Sequence, residues 1–386
     1  MNTYAYLEMT ILNLFTAVNL KLSKPLRNTL VKLIVCLLDN NKAHISRLGE
    51  FLSNNDIKLM SRIQHIRRFL SNPRISPSLT IKPLIYLMRP LLEKLPEIIL
   101  IIDRTDWEKR QKYINILSVA ISYKNRALPL HWMVFGEKGN SSLEQWKQVL
   151  FPVIIVLQQM SWLSDKPIHV VTDREFASPK LAEWLKNEFD VTATLRIKSS
   201  MYLKGEDTPE TKVATLIQRM KKGSRHILYN QVLTRDSSFK MNVLLTWNKD
   251  YDEPLVIATT AGSPIKAERT YGKRATIEPM HKDWKSNAFD LEKTRVADPK
   301  RIETLLIPIA FAYIFCVLEG EKKEETGDVQ TPPKGKARMV GLFLSGLRTI
   351  SCRLRQLTTE QFKQFLLRLL QPIFQTWSIP PSTVIT

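Results

Sequence analysis

The sequence predicts an α/β protein: a mixed sheet flanked by helices, interrupted by a β-rich insertion, with helical regions at both ends. Three observations carry this. Two apolar runs, Ile98-Ile99-Leu100-Ile101-Ile102 and Ile168-His169-Val170-Val171-Thr172, each end in an aspartate, Asp103 and Asp173. Continuous rather than alternating hydrophobicity marks strands covered on both faces. Helical periodicity lies between and after these runs, and a stretch of short strands follows near the middle of the chain.

Residues 1–96 read as helical. Apolar residues recur at three and four spacing from Leu26 to Val35 and again from Ile57 to Leu70. Residues 1–97 hold 14 Lys/Arg against 6 Asp/Glu. Arg62, His65, Arg67 and Arg68 cluster on the second segment, where Arg62, Arg67 and Arg68 are candidates for DNA phosphates, as in a helix-turn-helix. A small helical domain with a merely solvated basic face is the competing reading.

Residues 97–197 read as the first part of the core. After the run to Asp103, Asn115–Tyr123 and Ala127–Phe135 are predicted strands joined by a polar turn at Lys124-Asn125-Arg126. Ser141–Gln159 is a predicted helix capped by Ser141 or Ser142. The run to Asp173 comes next, then a helix opened by Ser178-Pro179 and ending near Asn187, then a strand over Val191–Ile197. This order, with carboxylates at two strand ends, is that of a ribonuclease-H-like fold. In an α/β sheet the ligand crevice lies beyond the strand ends, so Asp103 and Asp173, 70 residues apart, should meet there. A lone Asp closing a strand is commonly a turn or cap residue, but two such cases call for a joint explanation.

Residues 198–268 read as the β-rich insertion, with strands over Arg225–Thr234, Lys240–Trp247 and Leu255–Thr260. Its Lys221, Lys222, Arg225, His226, Arg235 and Trp247 are candidate DNA contacts, against an ordinary β subdomain with basic edges. Trp247 is expected simply to pack. Residues 269–320 complete the core, with a helix near Tyr271–Lys285 and a second from Pro299 to about Leu318. Polar residues 320–337 predict a linker. The apolar, basic tail reads as helical and suited to DNA or a second protomer, with 8 Lys/Arg against 1 Asp/Glu over 331–386.

The stretch Y-G-K-R-A-T-I-E-P-M-H-K-D-W-K holds the candidate chemistry. On an α-helix the offsets of 3, 7 and 14 from Tyr271 put Arg274, Glu278 and Lys285 within roughly 60° of it. A hydroxyl, a guanidinium, a carboxylate and an ammonium on one face suit a metal-bound phosphate. A solvated face with i,i+4 pairing is the alternative. Pro279 follows Glu278 and removes an amide, so the helix either begins there or bends.

The spacing Y-x2-R-x3-E-x6-K, preceded by two strand-end aspartates, resembles the signature of IS4 family DDE transposases. The resemblance covers roughly residues 98–318. It implies a metal-binding, catalytic triad of Asp103, Asp173 and Glu278, with Tyr271, Arg274 and Lys285 holding transposon-end phosphates. It further implies cleavage at terminal inverted repeats of double-stranded DNA and strand transfer to target DNA, with two protomers in the synaptic complex. Where some relatives carry a base-stacking tryptophan in the last insertion strand, this strand reads Pro254-Leu255-Val256-Ile257. Asp106 and Glu175, expected just past the strand ends, are candidate supports for the metal ligands.

Phosphodiester cleavage without a covalent intermediate needs an activated water and a stabilised leaving oxygen, which two divalent ions about 3.5–4 Å apart supply. An Asp, Asp, Glu set suits Mg²⁺ or Mn²⁺ better than zinc. The 386-residue chain carries a net charge of +20, which points to a polyanionic partner, nucleic acid ahead of membrane. The six histidines lack H-E-x-x-H spacing, and no P-loop or G-x-G-x-x-G occurs. The three scattered cysteines support neither a disulfide framework nor a zinc ribbon, and a cytoplasmic setting is expected. The apolar Thr304–Leu318 would span about 22 Å as a helix, short of a bilayer, and is expected in the core. Two other readings stay open: a transposase-derived protein that binds DNA without cutting, and a nuclease that cuts without joining.

Overall fold

The computed structural model describes residues 2–52, 57–109, 111–206, 209–234, 237–327, 341–377 and 384. Five helices open the chain: α1 (Thr3–Ala17), α2 (Lys24–Asn40), α3 (Ile45–Phe51), α4 (Leu59–Leu70) and α5 (Ile81–Leu92). Then come β1 (Ile98–Lys109), β2 (Lys112–Tyr123), β3 (Arg126–Phe135), α6 (Leu143–Gln158), β4 (Ile168–Thr172), α7 (Pro179–Phe189) and β5 (Thr192–Arg196). The next stretch holds β6 (Tyr202–Lys204), β7 (Thr211–Lys212), α8 (Val213–Gln218), β8 (Arg225–Leu233), β9 (Lys240–Thr246) and β10 (Leu255–Thr259). The chain continues through α9 (Pro264–Tyr271), α10 (Ile277–Lys282), α11 (Pro299–Glu325), α12 (Leu342–Gln356) and α13 (Thr359–Trp377).

The ten strands form one mixed sheet in the order β3-β2-β1-β4-β5-β10-β9-β8-β6-β7. β1 pairs antiparallel with β2 and parallel with β4, β4 is parallel to β5, and β10 returns antiparallel on β5. The first five strands therefore have the predicted ribonuclease-H-like arrangement, and the insertion strands widen the same sheet. Helices cover both faces, as neighbouring residues of β3 demonstrate. His131 Nδ1 meets the Val149 carbonyl of α6 at 2.9 Å, whereas the Trp132 indole donates to the Glu303 carbonyl of α11 at 2.9 Å. Successive side chains of a strand point to opposite faces, so α6 and α11 sandwich β3.

Local sequence explains the helix starts. Ser142 caps α6 in a reciprocal capping box with Gln145, and Ser178 with Pro179 opens α7. Asp298 caps α11 by accepting the Arg301 amide at 2.9 Å. Among the described helices, α11 is long and apolar enough to cross a membrane, yet 94% of its apolar window is buried inside the protein. α12 lies against it at close range: a Cβ on Gly346 would stand 1.8 Å from the Cys316 carbonyl oxygen, and one on Gly320 would stand 2.0 Å from that of Leu342. The tail folds back on the opening helices, with Thr3 donating to the Leu354 carbonyl at 2.8 Å and Arg355 paired with Asp39 at 2.6 Å.

Several expectations are corrected. β1 does not end at Asp103 but runs six residues further, because Arg104–Lys109 stay paired with β2. Asp106 thus lies within a strand. α11 continues to Glu325, occupying the first part of the expected 320–337 linker; its helix is held there by Glu321, which accepts from the Tyr123 hydroxyl at 2.7 Å and pairs with Lys124 at 2.7 Å. Positions 328–337 of that linker lie outside the described residues. The helix expected over Tyr271–Lys285 is three successive helical forms, described next.

Candidate active site

Parallel pairing between β1 and β4 ends at Ile102 and Thr172, so the two residues that follow, Asp103 and Asp173, emerge side by side. Asp103 stays in β1, opposite Ser118 of β2, while the chain after Asp173 turns into a short 3₁₀ segment. Each carboxylate accepts the amide of the next residue at 2.8 Å, Arg104 for Asp103 and Arg174 for Asp173. Both side chains are thereby aimed into the crevice where β4 leaves the sheet.

The third acid arrives on a broken helix. α9 ends at Tyr271, residues Gly272–Thr276 form a 3₁₀ turn, α10 starts at Ile277, and Asp283–Asn287 make a π-helical turn. Pro279 stands in the first turn of α10, where its missing amide costs little, which is the first of the two outcomes its position allows. A 3₁₀ turn overwinds and a π turn underwinds, so their effects on side-chain direction oppose each other. α10 is fixed to the sheet by buried His281, whose Nε2 meets the Ser118 hydroxyl at 2.9 Å, while that hydroxyl also reaches the Asp103 carbonyl at 3.3 Å. Burial, aided by Lys285, pushes His281 down to about 3, so it is neutral at ordinary pH.

Arg274 joins the three acids. Its Nη2 donates to Glu278 at 2.7 Å, and its Nη1 lies 3.5 Å from Asp103 and 3.8 Å from Asp173. The Tyr271 hydroxyl donates to Asp173 at 3.5 Å. Asp103 is only 17% exposed, whereas Glu278 is 60% exposed and forms the outer lip. Burial pushes Asp103 up to about 6, with the Arg104 amide and Arg274 opposing and the charges of Asp173 and Glu278 adding to the rise. Burial likewise raises the Tyr271 hydroxyl, helped by Asp173.

A second ring of charge surrounds these groups. Arg104 pairs with Glu175 at 3.0 Å, and Glu175 accepts from the Ser141 hydroxyl at 3.2 Å, tying β1 to the loop before α6. Arg196 at the end of β5 lies 3.5 Å from Asp173, and Glu253 engages Arg174 at 2.7 Å and Arg196 at 3.9 Å. Arg196 and Glu253 were missed by sequence reasoning. Arg196 was within reach, since it closes an apolar strand as the aspartates do; Glu253, in the exposed turn before β10, carried no signal.

The remaining candidates lie elsewhere. Lys285 does not touch the three acids: its ammonium donates to the Asp106 carbonyl at 2.8 Å, pairs with Glu292 at 3.3 Å and sits 5.8 Å over the Trp107 ring. Arg62 donates to the Glu50 carbonyl at 3.2 Å, and the His65 ring meets the Thr29 hydroxyl at 3.0 Å, so both turn toward neighbouring helices. Arg67 and Arg68 are exposed on the last turn of α4. In the insertion, Arg225 pairs with Glu268 at 2.8 Å, Lys222 reaches Asp252 at 4.0 Å, and the Trp247 indole donates to the Tyr251 carbonyl at 3.1 Å. Arg235 lies outside the described residues.

Three carboxylates converge with no histidine or cysteine among them, a donor set of hard oxygens suited to Mg²⁺ or Mn²⁺. Their mutual repulsion, visible at Asp103, favours a cation between them. Among the described residues no three His, Cys, Asp or Glu side chains stand close enough to form a ready metal cage. The Arg274 guanidinium reaches all three acids, and the donor set fits a divalent ion by chemistry.

A comparison with curated proteins found no match. Residues 94–315, more than half of the chain, match the family model described as the transposase DDE domain, a span that begins just before β1 and ends within α11. With Asp103, Asp173 and Glu278 gathered at the carboxyl end of the β1–β4 pairing inside that span, the chain belongs to the transposase DDE domain family.

Proposed function

We propose that this protein is a cut-and-paste transposase of the IS4 type, in which Asp103, Asp173 and Glu278 hold divalent metal and cut DNA at the element's ends. The observation that carries the reading is the bridge made by Arg274 to all three acids. A guanidinium so held supports the reading of a site that takes a cation in one state and a phosphate in another. Mg²⁺ or Mn²⁺, two ions when bound, supplies an activated water and a Lewis acid for the leaving oxygen.

The chain's own groups do the rest. Arg274, released from the acids, presents its planar fork to the non-bridging oxygens of the scissile phosphate. The Tyr271 hydroxyl, kept protonated by burial beside Asp173, donates a second hydrogen bond to the same group. Lys285, positioned by the Asp106 carbonyl, holds a neighbouring phosphate. Hydrolysis leaves a 3′-hydroxyl, which then attacks a target phosphodiester in the same site, forming one phosphorus–oxygen bond and breaking another. Two protomers bring two ends together, and the setting is the cytoplasm.

The test is a joining assay. A labelled duplex carrying the element's terminal inverted repeat is incubated with the protein, Mg²⁺ and a supercoiled plasmid. Label appearing in plasmid supports the proposal. Nicked duplex with no label in plasmid would make the protein a nuclease that cuts without joining.

A further inference from the structure

We propose that a basic cleft at the far end of the β1–β2 hairpin binds the phosphate backbone of duplex DNA, about 20 Å beyond the carboxylates. The proposal rests on the reading that the protein acts on DNA. The cleft, about 550 Å³ in volume, is lined by Arg67 and Arg68 of α4, Lys112 of β2, Arg295 from the segment before α11, and Arg301 of α11. The acid facing them is Asp298, and it is committed to capping α11 through the Arg301 amide.

Two features leave the charge of these cations largely unanswered within the chain. The first is pairing. Arg104, Arg174, Arg196 and Arg274 around the candidate active site each reach a carboxylate. Among the described residues none of the five cleft cations forms an ion pair; Arg301 has a neutral partner, the Ser71 hydroxyl at 2.8 Å. Five like charges around one concavity repel one another, and salt screens that repulsion only over about 8–10 Å. The second is helix polarity. Arg67 and Arg68 in the last turn of α4 complement that helix's negative end. Arg301, in contrast, lies in the first turn of α11, where the helix end is itself positive and the one acid is the capping Asp298. A cation there works against the dipole, and an anion lying in the cleft would satisfy both.

The position identifies the anion. Lys112 pairs with Lys109, six residues past Asp103 along β1, which is about 20 Å at strand rise. That distance is about six base pairs of duplex at 3.4 Å each. Between the two lies Lys285, anchored on the Asp106 carbonyl halfway along the same strand. Carboxylates, Lys285 and cleft therefore mark one track along a phosphate backbone. The track joins the opening helices, which contribute Arg67 and Arg68, to the sheet.

The test is binding of a 40-base-pair duplex with the terminal inverted repeat, by fluorescence anisotropy over a series of NaCl concentrations. The variant is Arg67→Gln/Lys112→Gln/Arg295→Gln, all at exposed positions. The control is Lys24→Gln/Lys82→Gln/Lys180→Gln, exposed cations outside the cleft with the same charge loss. We expect the cleft variant to bind more weakly and its slope of log affinity against log salt to be shallower by roughly 2 to 3. The slope of the control should change by no more than about one-third of that difference. Equal slopes for wild type and cleft variant, or equal losses in both variants, overturn the proposal. Metal-dependent nicking by wild type with unchanged slopes would sink the cleft and leave the catalytic reading standing. A shallower slope in the cleft variant without nicking by wild type would do the reverse.

Discussion

The carboxylate site and the basic cleft treat charge in opposite ways. Around Asp103 and Asp173 the charges are answered inside the chain: Arg274 spans the three acids, Arg196 backs Asp173, and Glu253 and Glu175 engage the surrounding arginines. In the cleft, five cations face one committed acid. The first arrangement is ordered before any ligand arrives and must be opened for use. The second is complete only with an outside partner. Pre-ordering keeps three acids together that would otherwise repel, whereas an uncompensated cleft adds affinity and on-rate.

The sharpest way to break this contrast is Arg274→Ala. With the internal cation gone, nicking should fall by about 10²- to 10³-fold, the usual cost of losing one charge-stabilising donor. Mn²⁺ binding, read by paramagnetic resonance, should be as tight as in wild type or tighter. Nicking at the wild-type rate, or loss of Mn²⁺ binding, would show that Arg274 does not hold the place of a cation.

Next in size is Arg126→Ala, beneath the site. Arg126 pairs with fully buried Asp283 at 2.6 Å, yet burial still pushes that acid up to about 6, with Arg126 opposing. A carboxyl raised in the folded state contributes stability below its unfolded value near 3.8, and that contribution is lost as pH rises through 6. Removing Arg126 harms only the ionised acid. Above pH 6 the variant should therefore lose about 3–5 kcal/mol, and the loss should shrink toward pH 4.5 as Asp283 takes up a proton. Denaturant melts at the two pH values measure this; a pH-independent loss would contradict it.

Gly346→Ala supplies the uncharged counterpart. Its new methyl meets the Cys316 carbonyl in the rigid backbone of α11, so we expect about 1–3 kcal/mol of destabilisation, equal at both pH values. The smallest effect belongs to an exposed pair. Arg225→Ala, which loses Glu268 on the outside of the insertion, should cost no more than about 1 kcal/mol in the same melts. A larger loss would mean that surface pairs there carry more than their exposure suggests.

The contrast also explains what was legible from sequence. Asp103 and Asp173 could be read because an apolar run ending in an acid encodes a buried strand and its exit, and parallel neighbours exit together. Arg274 and Glu278 could be read because four residues along a helix are neighbours in space. The extension of β1 was hidden because Arg104–Lys109 is mostly polar, and only pairing with β2 reveals it as strand. Lys285 was assigned to the acids' face on ideal helix geometry, which the 3₁₀ and π turns alter. The cleft was the least legible feature: Arg67, Lys112 and Arg295 come from three distant segments, and no local pattern reports their convergence.

The measurement that bears most directly on the account compares wild type with Glu278→Gln on a duplex carrying the element's terminal inverted repeat, with Mg²⁺ or Mn²⁺. Glutamine keeps the shape and the Arg274 side of the contact while removing the charge. The account requires nicking at the element boundary by wild type, a fall of at least about 10³-fold in the variant, and equal DNA affinity for both. Equal nicking by both proteins, or binding by both with nicking by neither, would contradict it.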